Sequence, residues 1–238
     1  MLKIKNLSKT YKGGTKAVDN LSLDVANGDI FAFIGHNGAG KTTTIKAVVG
    51  ILDFEEGSIE IDGMSIQEKP VECKQITAYI PDNPDLYEHM TGIQYLNFVG
   101  DIFSIEKAER EASIGKYADA FEITRNLGDQ ISSYSHGMKQ KLAVISALIH
   151  KPRLLVLDEP FVGLDPKASH ILKGFMRDLC NGGSAIFFST HILEVAEKLC
   201  DKVAIIKEGR LLVSGTMEEV RGNSSLEDVF LELTDHEK

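Results

Sequence analysis

The stretch from Phe31 to Gly50, FAFIGHNGAGKTTTIKAVVG, constrains the fold more than any other part of the chain. It begins as an apolar run typical of a buried strand, continues through a glycine-rich turn with a lysine, and ends as a helix-like segment. Gly35, Gly40, Lys41 and Thr42 fit the pattern GxxxxGK[ST] in the order of strand, loop and helix that this motif requires. The sequence therefore predicts a phosphate-binding loop inside an α/β unit.

The chemistry of such a loop follows from its residue types. Glycines let the backbone curl so that successive N–H groups point inward, and the following helix adds about half a positive charge at its N-terminus. Lys41 can reach the β and γ phosphates of a nucleotide, and the Thr42 hydroxyl is placed to bind magnesium. The predicted nucleotide contacts in this segment are Gly35, His36, Asn37, Gly38, Ala39, Gly40, Lys41, Thr42 and Thr43.

A second apolar run, LLVLDE at residues 154–159, ends in the adjacent carboxylates Asp158 and Glu159. Charges at the end of a buried parallel strand lie at the carboxyl edge of the sheet, where open α/β folds bind their ligands. Asp158 suits a magnesium ligand, and Glu159 suits a general base that orients and polarises an attacking water. The alternative interpretation is a pair of solvated acids at a strand end.

Apolar periodicity predicts a mixed α/β chain with a helical interruption. Strand-like alternation covers residues 2–25, and GSIEIDG and ITAYIP predict further strands. From residue 91 to about 150 strand formers are few, and we expect a helical subdomain there. Its last helix presents an apolar face for packing, formed by Met138, Leu142, Ile145 and Ile149.

Strands and helices alternate again in the last third of the chain. LLVL and AIFF are apolar throughout, as strands of a parallel sheet covered on both faces must be. Helices are predicted at 166–179 and 191–199, and a hairpin in KVAIIKEGRLLVSG. We therefore predict one domain over residues 1–238, with its catalytic core at 1–90 and 151–238.

Composition and charge restrict the class of protein. The formal charge of −9 argues against a protein whose main ligand is nucleic acid. Cys73, Cys180 and Cys200 are far apart, which favours buried thiols in a reducing cytosol over disulfides or a zinc site. No segment approaches the roughly 18 apolar residues of a membrane span, and no signal-type region follows Met1. We expect a soluble, cytoplasmic chain.

Many classes of nucleotide hydrolase combine a phosphate loop with an acidic strand. The segment YSHGMKQ at residues 134–140 distinguishes between these classes. It resembles the signature motif of ATP-binding cassette (ABC) ATPases, usually written LSGGQ, with Ser135 and Gly137 at its serine and second glycine. Three further residues are similar to the D-loop acid, the switch histidine and the adenine-stacking ring of that family, namely Asp165, His191 and Tyr11. The resemblance covers nearly the whole chain.

The resemblance implies an α/β fold, a P-loop NTPase core of ABC type with an N-terminal antiparallel β subdomain and an inserted helical subdomain. It implies ATP and Mg²⁺ as ligands and a transport-coupled ATPase in which His191 contacts the γ-phosphate. In the family, the signature helix closes over the ATP held by a second ABC ATPase chain, so ATP favours a closed dimer and hydrolysis releases it. A homodimer and a heterodimer both remain open. Alone, Tyr11 would read as a half-buried strand residue and His191 as a capping or surface histidine.

Because no membrane span is predicted, the resemblance also implies a separate transmembrane permease subunit that holds the ATPase at the inner face of the cell membrane. In the family this subunit inserts a short helix near residues 82–103. The alternative is a soluble ABC ATPase that acts on nucleic acid or ribosomes. Residues 41–135 contain no sustained heptads of the kind chromosome-type relatives have, and ribosome-acting relatives usually carry two cassettes.

Two positions depart from the pattern of the family. His136 replaces the first signature glycine, where its ring can make dimer closure pH-sensitive or can face solvent without a role. Asp82 stands where the family usually has a glutamine; it can contact magnesium or the attacking water, but when ionised it cannot donate a hydrogen bond. Asp82 and the C-terminal SLEDVFLELT are similar to cassettes of ABC-2, drug and bacitracin exporters, which implies export.

Overall fold

The computed structural model describes residues 1–235. The strands of this part are β1 Leu2–Thr10, β2 Lys16–Val25, β3 Ile30–Ile34, β4 Glu56–Ile61, β5 Met64–Ser65, β6 Thr77–Ile80, β7 Leu154–Asp158, β8 Ala185–Thr190, β9 Lys202–Lys207 and β10 Arg210–Thr216. The helices are α1 Lys41–Val48, α2 Pro70–Gln75, α3 Gly92–Ile102, α4 Lys107–Ala120, α5 His136–Leu148, α6 Pro166–Asn181, α7 Leu193–Leu199, α8 Met217–Arg221 and α9 Leu226–Asp235. Short 3-10 turns lie at Thr124–Asn126 and Ile131–Ser133.

The N-terminal strands form a four-stranded antiparallel sheet in the order β2-β1-β4-β5. Leu2 in β1 lies opposite Val25 on one side and Ile61 on the other, and all three side chains are buried. Lys3 and Lys5 point to the other face and are exposed, as the alternation of a strand requires. This sheet confirms the antiparallel β part of the predicted fold.

A second sheet of six strands, in the order β10-β9-β3-β8-β7-β6, forms the centre of the protein. All neighbours are parallel except β10, which returns antiparallel to β9 as the predicted hairpin. Every residue of β3, β7 and β8 is buried, because side chains of both faces enter hydrophobic clusters. Helix α1 packs on one face and α6 on the other, so the predicted two-sided covering is confirmed.

The register of the parallel strands brings several loops to one edge. Ile34 at the end of β3 pairs with Thr190 of β8, and Asp158 at the end of β7 pairs with Ser189. The segments that follow β3, β6, β7 and β8 therefore all leave the sheet at its carboxyl edge. Ligands of open α/β folds bind at this edge.

Three helices, α3, α4 and α5, occupy most of residues 92–148. Leu142, Ile145 and Ile149 of the predicted apolar face are buried, and Met138 packs against the same cluster. The Thr91 side chain accepts a hydrogen bond from the Gln94 amide, and the Gln94 side chain accepts one from the Thr91 amide, so a capping box begins α3.

One predicted helix boundary is wrong, and three helices were missed. The helix predicted from residue 191 begins instead at Leu193, so His191 lies outside α7 in the bend after β8. Helices α2, α8 and α9 were not predicted. Among residues 1–235, no helix is long and apolar enough to cross a membrane.

Candidate functional site

The phosphate-loop segment is held in a shape that only glycine permits at two positions. Gly40 has a φ of 105°, and a Cβ added there would lie 2.3 Å from the carbonyl oxygen of Ala17 in β2. A Cβ at Gly35 would lie 2.5 Å from the carbonyl oxygen of Ile206 in β9. The loop therefore packs directly against the backbone of two strands, because glycine has no side chain to keep them apart.

Lys41 brings its positive charge back into this loop. Its Nζ donates to the carbonyl oxygens of Gly35 at 2.6 Å and His36 at 3.3 Å. The same atom lies 3.6 Å from Oε1 of Glu159, and only 6% of the lysine side chain is exposed. The loop and the acidic strand end are thus joined through one buried ammonium group.

Asp158 has the environment expected of a magnesium ligand. It is 1% exposed, and its Oδ1 accepts a hydrogen bond from the Ser189 hydroxyl. Its Oδ2 has no hydrogen-bond partner among the described residues. A buried carboxylate oxygen without a partner is costly unless a cation or donor satisfies it, so Asp158, with Thr42 in the same pocket, fits a magnesium ion.

Glu159 adopts an unusual backbone conformation between Asp158 and the following loop. Its φ is 49°, in the left-handed region that non-glycine residues rarely occupy. Its amide donates to the carbonyl oxygen of Ser189 at 3.2 Å and to the hydroxyl at 3.1 Å. Its Oε2 lies 2.9 Å from Nδ1 of His191, whose side chain is 54% exposed. The strained backbone is held by β8 and aims the carboxylate at Lys41 and His191.

Ser189 was not among the predicted site residues, although it contacts the Asp158 carboxylate and the Glu159 backbone amide. Its hydroxyl donates to Asp158 and accepts from the Glu159 amide. A signal was present, since SAIFFST places Ser189 at the end of a buried strand, as LLVLDE places Asp158. Strand order was needed to show that these two strands are neighbours.

These groups surround a pocket of about 370 Å³. It is lined by Tyr11, Thr15, Ala17, His36, Asn37, Gly38, Gly40, Lys41, Thr42, Thr43, Asp82, Asp158 and Glu159. The Tyr11 hydroxyl lies 3.2 Å from the Thr43 hydroxyl, and 42% of the tyrosine is exposed. Asp82 is exposed, and its Oδ1 accepts from the Asn83 amide at 2.9 Å. Most of the predicted nucleotide contacts thus share one cavity.

Other predicted site residues lie outside this lining. Gly35 and Ala39 belong to the loop but lie on its packed side. His191 is not in the lining, and its Nδ1 contacts Glu159, which is part of the lining. The remaining three predicted residues are absent from the lining and lie near the starts of α5 and α6, namely Ser135, Gly137 and Asp165.

The second group joins the start of α5 to the start of α6. Ser135 Oγ accepts from the Met138 amide at 3.3 Å, and Asp165 Oδ1 accepts from the Ala168 amide at 2.7 Å. Lys141 Nζ lies 2.9 Å from Asp165 Oδ2. These bonds, with the Ala168 amide first, lower the pKa of Asp165. The two helix N-termini therefore form one polar surface, on which the Asp165 carboxylate is paired with Lys141.

His136 also takes part in this surface. A Cβ at Gly163 would lie 2.5 Å from Cδ2 of the His136 ring, so the ring covers the glycine of the GLDP segment. Gly163 has a φ of 82°. The histidine that departs from the signature pattern is thus in contact with the loop before α6.

Comparison with known proteins agrees with this fold. The sequence profile of the ABC transporter family matches residues 18–162. The ABC-type transporter ATP-binding protein EcsA of Bacillus subtilis (strain 168) is 34% identical over 239 residues, which cover 98% of this chain and 96% of EcsA. The linearmycin resistance ATP-binding protein LnrL of the same organism is 31% identical over 220 residues, covering 92% of this chain and 70% of LnrL.

Solved structures show the same relationship. One described as the ATP binding subunit of an ABC transporter has a TM-score of 0.94 at 35% identity, covering 98% of this chain and 99% of that one. A dimeric post-hydrolysis structure of the ATP-binding cassette MJ0796 with ADP and Pi has a TM-score of 0.84 at 21% identity, covering 91% and 99%, and shows the shared fold. The class is that of ABC ATPase cassettes. This chain belongs to the ABC transporter family, as one of its ATP-binding proteins.

Proposed function

We propose that this chain is the ATP-hydrolysing subunit of an ABC transporter and that it drives a substrate through a separate membrane permease. One observation carries the proposal. Lys41, Asp158 and Glu159 meet around a single pocket although two of them lie far from the third in sequence. A phosphate cradle, a cation-binding acid and a carboxylate suited to a general base are the parts that nucleotide hydrolysis requires.

The residues of the pocket have distinct roles in this proposal. The loop amides and Lys41 bind the β and γ phosphates, which offer Lys41 stronger acceptors than the carbonyl oxygens of Gly35 and His36. Asp158 and Thr42 hold Mg²⁺, with Asp82 as a further candidate. The ion supplies charge stabilisation at the phosphates. The Tyr11 ring stacks on adenine.

Glu159 accepts the proton of the attacking water as it approaches the γ-phosphate. The ion pair with Lys41 and the contact with His191 fix its carboxylate in the pocket. His191 is then close enough to the acid to contact the γ-phosphate from the same side. Loss of that phosphate removes a contact to both residues, so the pair can distinguish ATP from ADP.

We propose that two cassettes share each nucleotide. The pocket side carries Lys41, whereas the polar surface at Ser135, Gly137 and Asp165 lies outside the pocket lining of the same chain. Helix α5 begins at this surface with unsatisfied amides and a positive end, which suits the phosphates of a nucleotide held by a second chain. The cassette MJ0796, which shares the fold, forms a dimer with ADP and Pi.

A second surface suits the membrane permease. Around the predicted segment 82–103, several large apolar side chains are solvent-exposed, among them Tyr87 at 49%, Phe98 at 37% and Ile102 at 60%. The Tyr87 ring packs edge-on against Phe98, with centroids 5.6 Å apart. Contiguous exposed aromatic groups mark protein contact sites. Export is the proposed direction, supported by the Asp82 and C-terminal patterns and by the resistance function named for LnrL.

The test is to solubilise the native membrane in detergent, purify the chain together with any bound partner, and measure Mg-ATP turnover. We expect a hydrophobic polypeptide to copurify with the parental chain. A Phe98→Glu variant should keep ATP turnover and lose this partner. Lys107→Glu, on the exposed side of α4, is the matched control and should keep both. Absence of ATP turnover in the parental chain would contradict the ATPase, and turnover stimulated by nucleic acid would favour the soluble alternative.

A further inference from the structure

The C-terminal helix α9 is an ordered part of the fold. Ser225 begins it, because its hydroxyl accepts from the Asp228 amide at 3.1 Å while Asp228 Oδ2 accepts from the Ser225 amide at 3.3 Å. Leu226 and Phe230, four residues apart on one helix face, are 0% and 7% exposed. Leu231 faces the other way and is 47% exposed. The helix is thus docked through a defined apolar face.

Phe230 reaches the phosphate loop from this face. Its ring packs against the imidazole of His36, with centroids 4.8 Å apart and planes at 60°. Such edge-on aromatic pairs are favoured beyond simple burial. The carbonyl oxygen of His36 accepts from Lys41 Nζ at 3.3 Å and from the Ala39 amide at 3.1 Å. Phe230 therefore holds a residue whose backbone shapes the loop around Lys41.

Helix α9 also contacts the elements beside the loop. It packs against α7, which follows the bend that contains His191. At its end, the carbonyl oxygen of Thr234 accepts from Nζ of Lys207 in β9, at 2.9 Å. Strand β9 is the neighbour of β3, from which the loop begins. One helix therefore bridges the phosphate loop and the region of the switch histidine.

We propose that Phe230 is a positioning residue for the nucleotide site, and that α9 holds the phosphate loop in its binding shape through the Phe230–His36 contact. This inference rests on the proposed function, since it concerns the same pocket. An inward-facing set of amides binds phosphate well only when the loop is preorganised. His36 is exposed to solvent, and Phe230 supplies a ring contact that restrains it; without Phe230 the imidazole is free to rotate, and the loop samples other shapes before ATP binds.

The expected effect follows from this role. Losing an aromatic pair that preorganises the loop weakens nucleotide binding by about three- to tenfold. The change falls on KM and on the dissociation constant, whereas kcat stays within about twofold, because Glu159 and Asp158 are held by β8 rather than by α9. A purely structural role for Phe230 would instead lower thermal stability without this selective change in nucleotide affinity.

The test measures binding of the fluorescent nucleotide mant-ATP and steady-state ATPase kinetics in the full chain. Phe230→Leu keeps the buried side apolar and removes the ring, Phe230→Tyr restores a ring, and Leu231→Ala is the control on the opposite face. We expect three- to tenfold weaker binding for the leucine variant and near-parental binding for the other two. In a His36→Ala background, Phe230→Leu should have no further effect on binding.

Parental affinity in a folded Phe230→Leu chain would overturn the inference. So would a loss of affinity on adding Phe230→Leu to His36→Ala that equals the loss it causes in the parental chain. Either result leaves the proposed function standing, since parental mant-ATP binding is measured in the same series. Failure of the parental chain to bind mant-ATP would overturn both. Melting temperatures of all variants separate loss of folding from loss of binding.

Discussion

At individual residues, the acidic end of β7 shows how the fold separates two neighbouring carboxylates. Asp158 is buried and bound by the Ser189 hydroxyl, whereas Glu159 turns into the pocket through a left-handed backbone. Strain of this kind persists only where surrounding contacts enforce it, and it concentrates at functional positions. The two acids therefore suit two roles, a cation ligand and a base.

Glu159→Gln tests the role of the base. We expect ATP binding to persist and hydrolysis to slow by about 100-fold, or ~2.7 kcal/mol of barrier, because the amide cannot accept the proton. The measurement is single-turnover hydrolysis of Mg-ATP beside a binding titration. Glu208→Gln is a matched control, since Glu208 has a φ of 48° and is exposed outside the pocket. Parental turnover in Glu159→Gln would show that another group is the base.

His150 gives a pH-dependent stability. Its imidazole stacks on Phe103 with ring centroids 3.7 Å apart, and burial lowers its pKa to about 4. In the unfolded chain this imidazole has its ordinary pKa near 6.5. The contribution of neutral His150 to the free energy of unfolding is therefore fully present above pH 6.5 and is lost as the pH falls toward 4. Between pH 7 and 5 the loss is on the order of 2 kcal/mol.

Denaturant unfolding of the parental chain and of His150→Phe, at pH 7 and pH 5, measures this contribution. The phenylalanine keeps a ring against Phe103 and removes the titrating group. We expect the variant to show a smaller decrease in the free energy of unfolding between the two pH values. Equal decreases in both proteins would contradict a buried neutral histidine.

Among the helices and strands, the agreement with sequence-based expectation depends on what each element packs against. Strands β3, β7 and β8 were predicted because burial on both faces makes them apolar throughout. Helix α2 has six residues and only Cys73 buried, so its sequence carries no apolar period. Helix α7 begins after His191 because the Ile192 amide donates to the Thr190 hydroxyl. Short polar segments take their conformation from such local bonds.

The capping box of α3 predicts a measurable stability change. Thr91→Ala removes the hydroxyl that accepts from the Gln94 amide at 3.3 Å, and we expect the free energy of unfolding to fall by about 1 kcal/mol. For a chain of this size that corresponds to a melting temperature lower by about 2–4 °C. Thr91→Ser keeps the hydroxyl and should remain near the parental value. Similar melting of all three proteins would contradict a stabilising cap.

For the protein as a unit, the polar surface at Ser135 lies outside the lining of the pocket, and we propose that each of the two is half of a nucleotide site. The proposed activity therefore requires a second cassette. Under this proposal, the segment that resembles the family's signature motif acts on the nucleotide bound by the second chain. From the net charge of −9 we predict a protein, rather than a nucleic acid, as the partner.

Ser135→Arg, placed in a Glu159→Gln background, tests the paired arrangement. We expect mant-ATP binding to persist, while the bulky cation at the start of α5 prevents the ATP-dependent dimer that Glu159→Gln alone forms. Gel filtration with light scattering, with and without Mg-ATP, measures the mass. Ser214→Arg, at an exposed serine of β10, is the control and should still dimerise. A monomeric Glu159→Gln chain in Mg-ATP would contradict the proposed pairing.

Local sequence was sufficient for features whose chemistry lies within a few residues. The glycines and Lys41 predicted the phosphate loop, and apolar runs predicted the buried strands, because backbone freedom and burial act locally. Strand order, the Ser189 bridge between Asp158 and Glu159, and the contact of Phe230 with His36 required the folded chain. These contacts join residues 30 to about 190 positions apart, and their partners are selected by packing of the sheets and helices rather than by any local pattern.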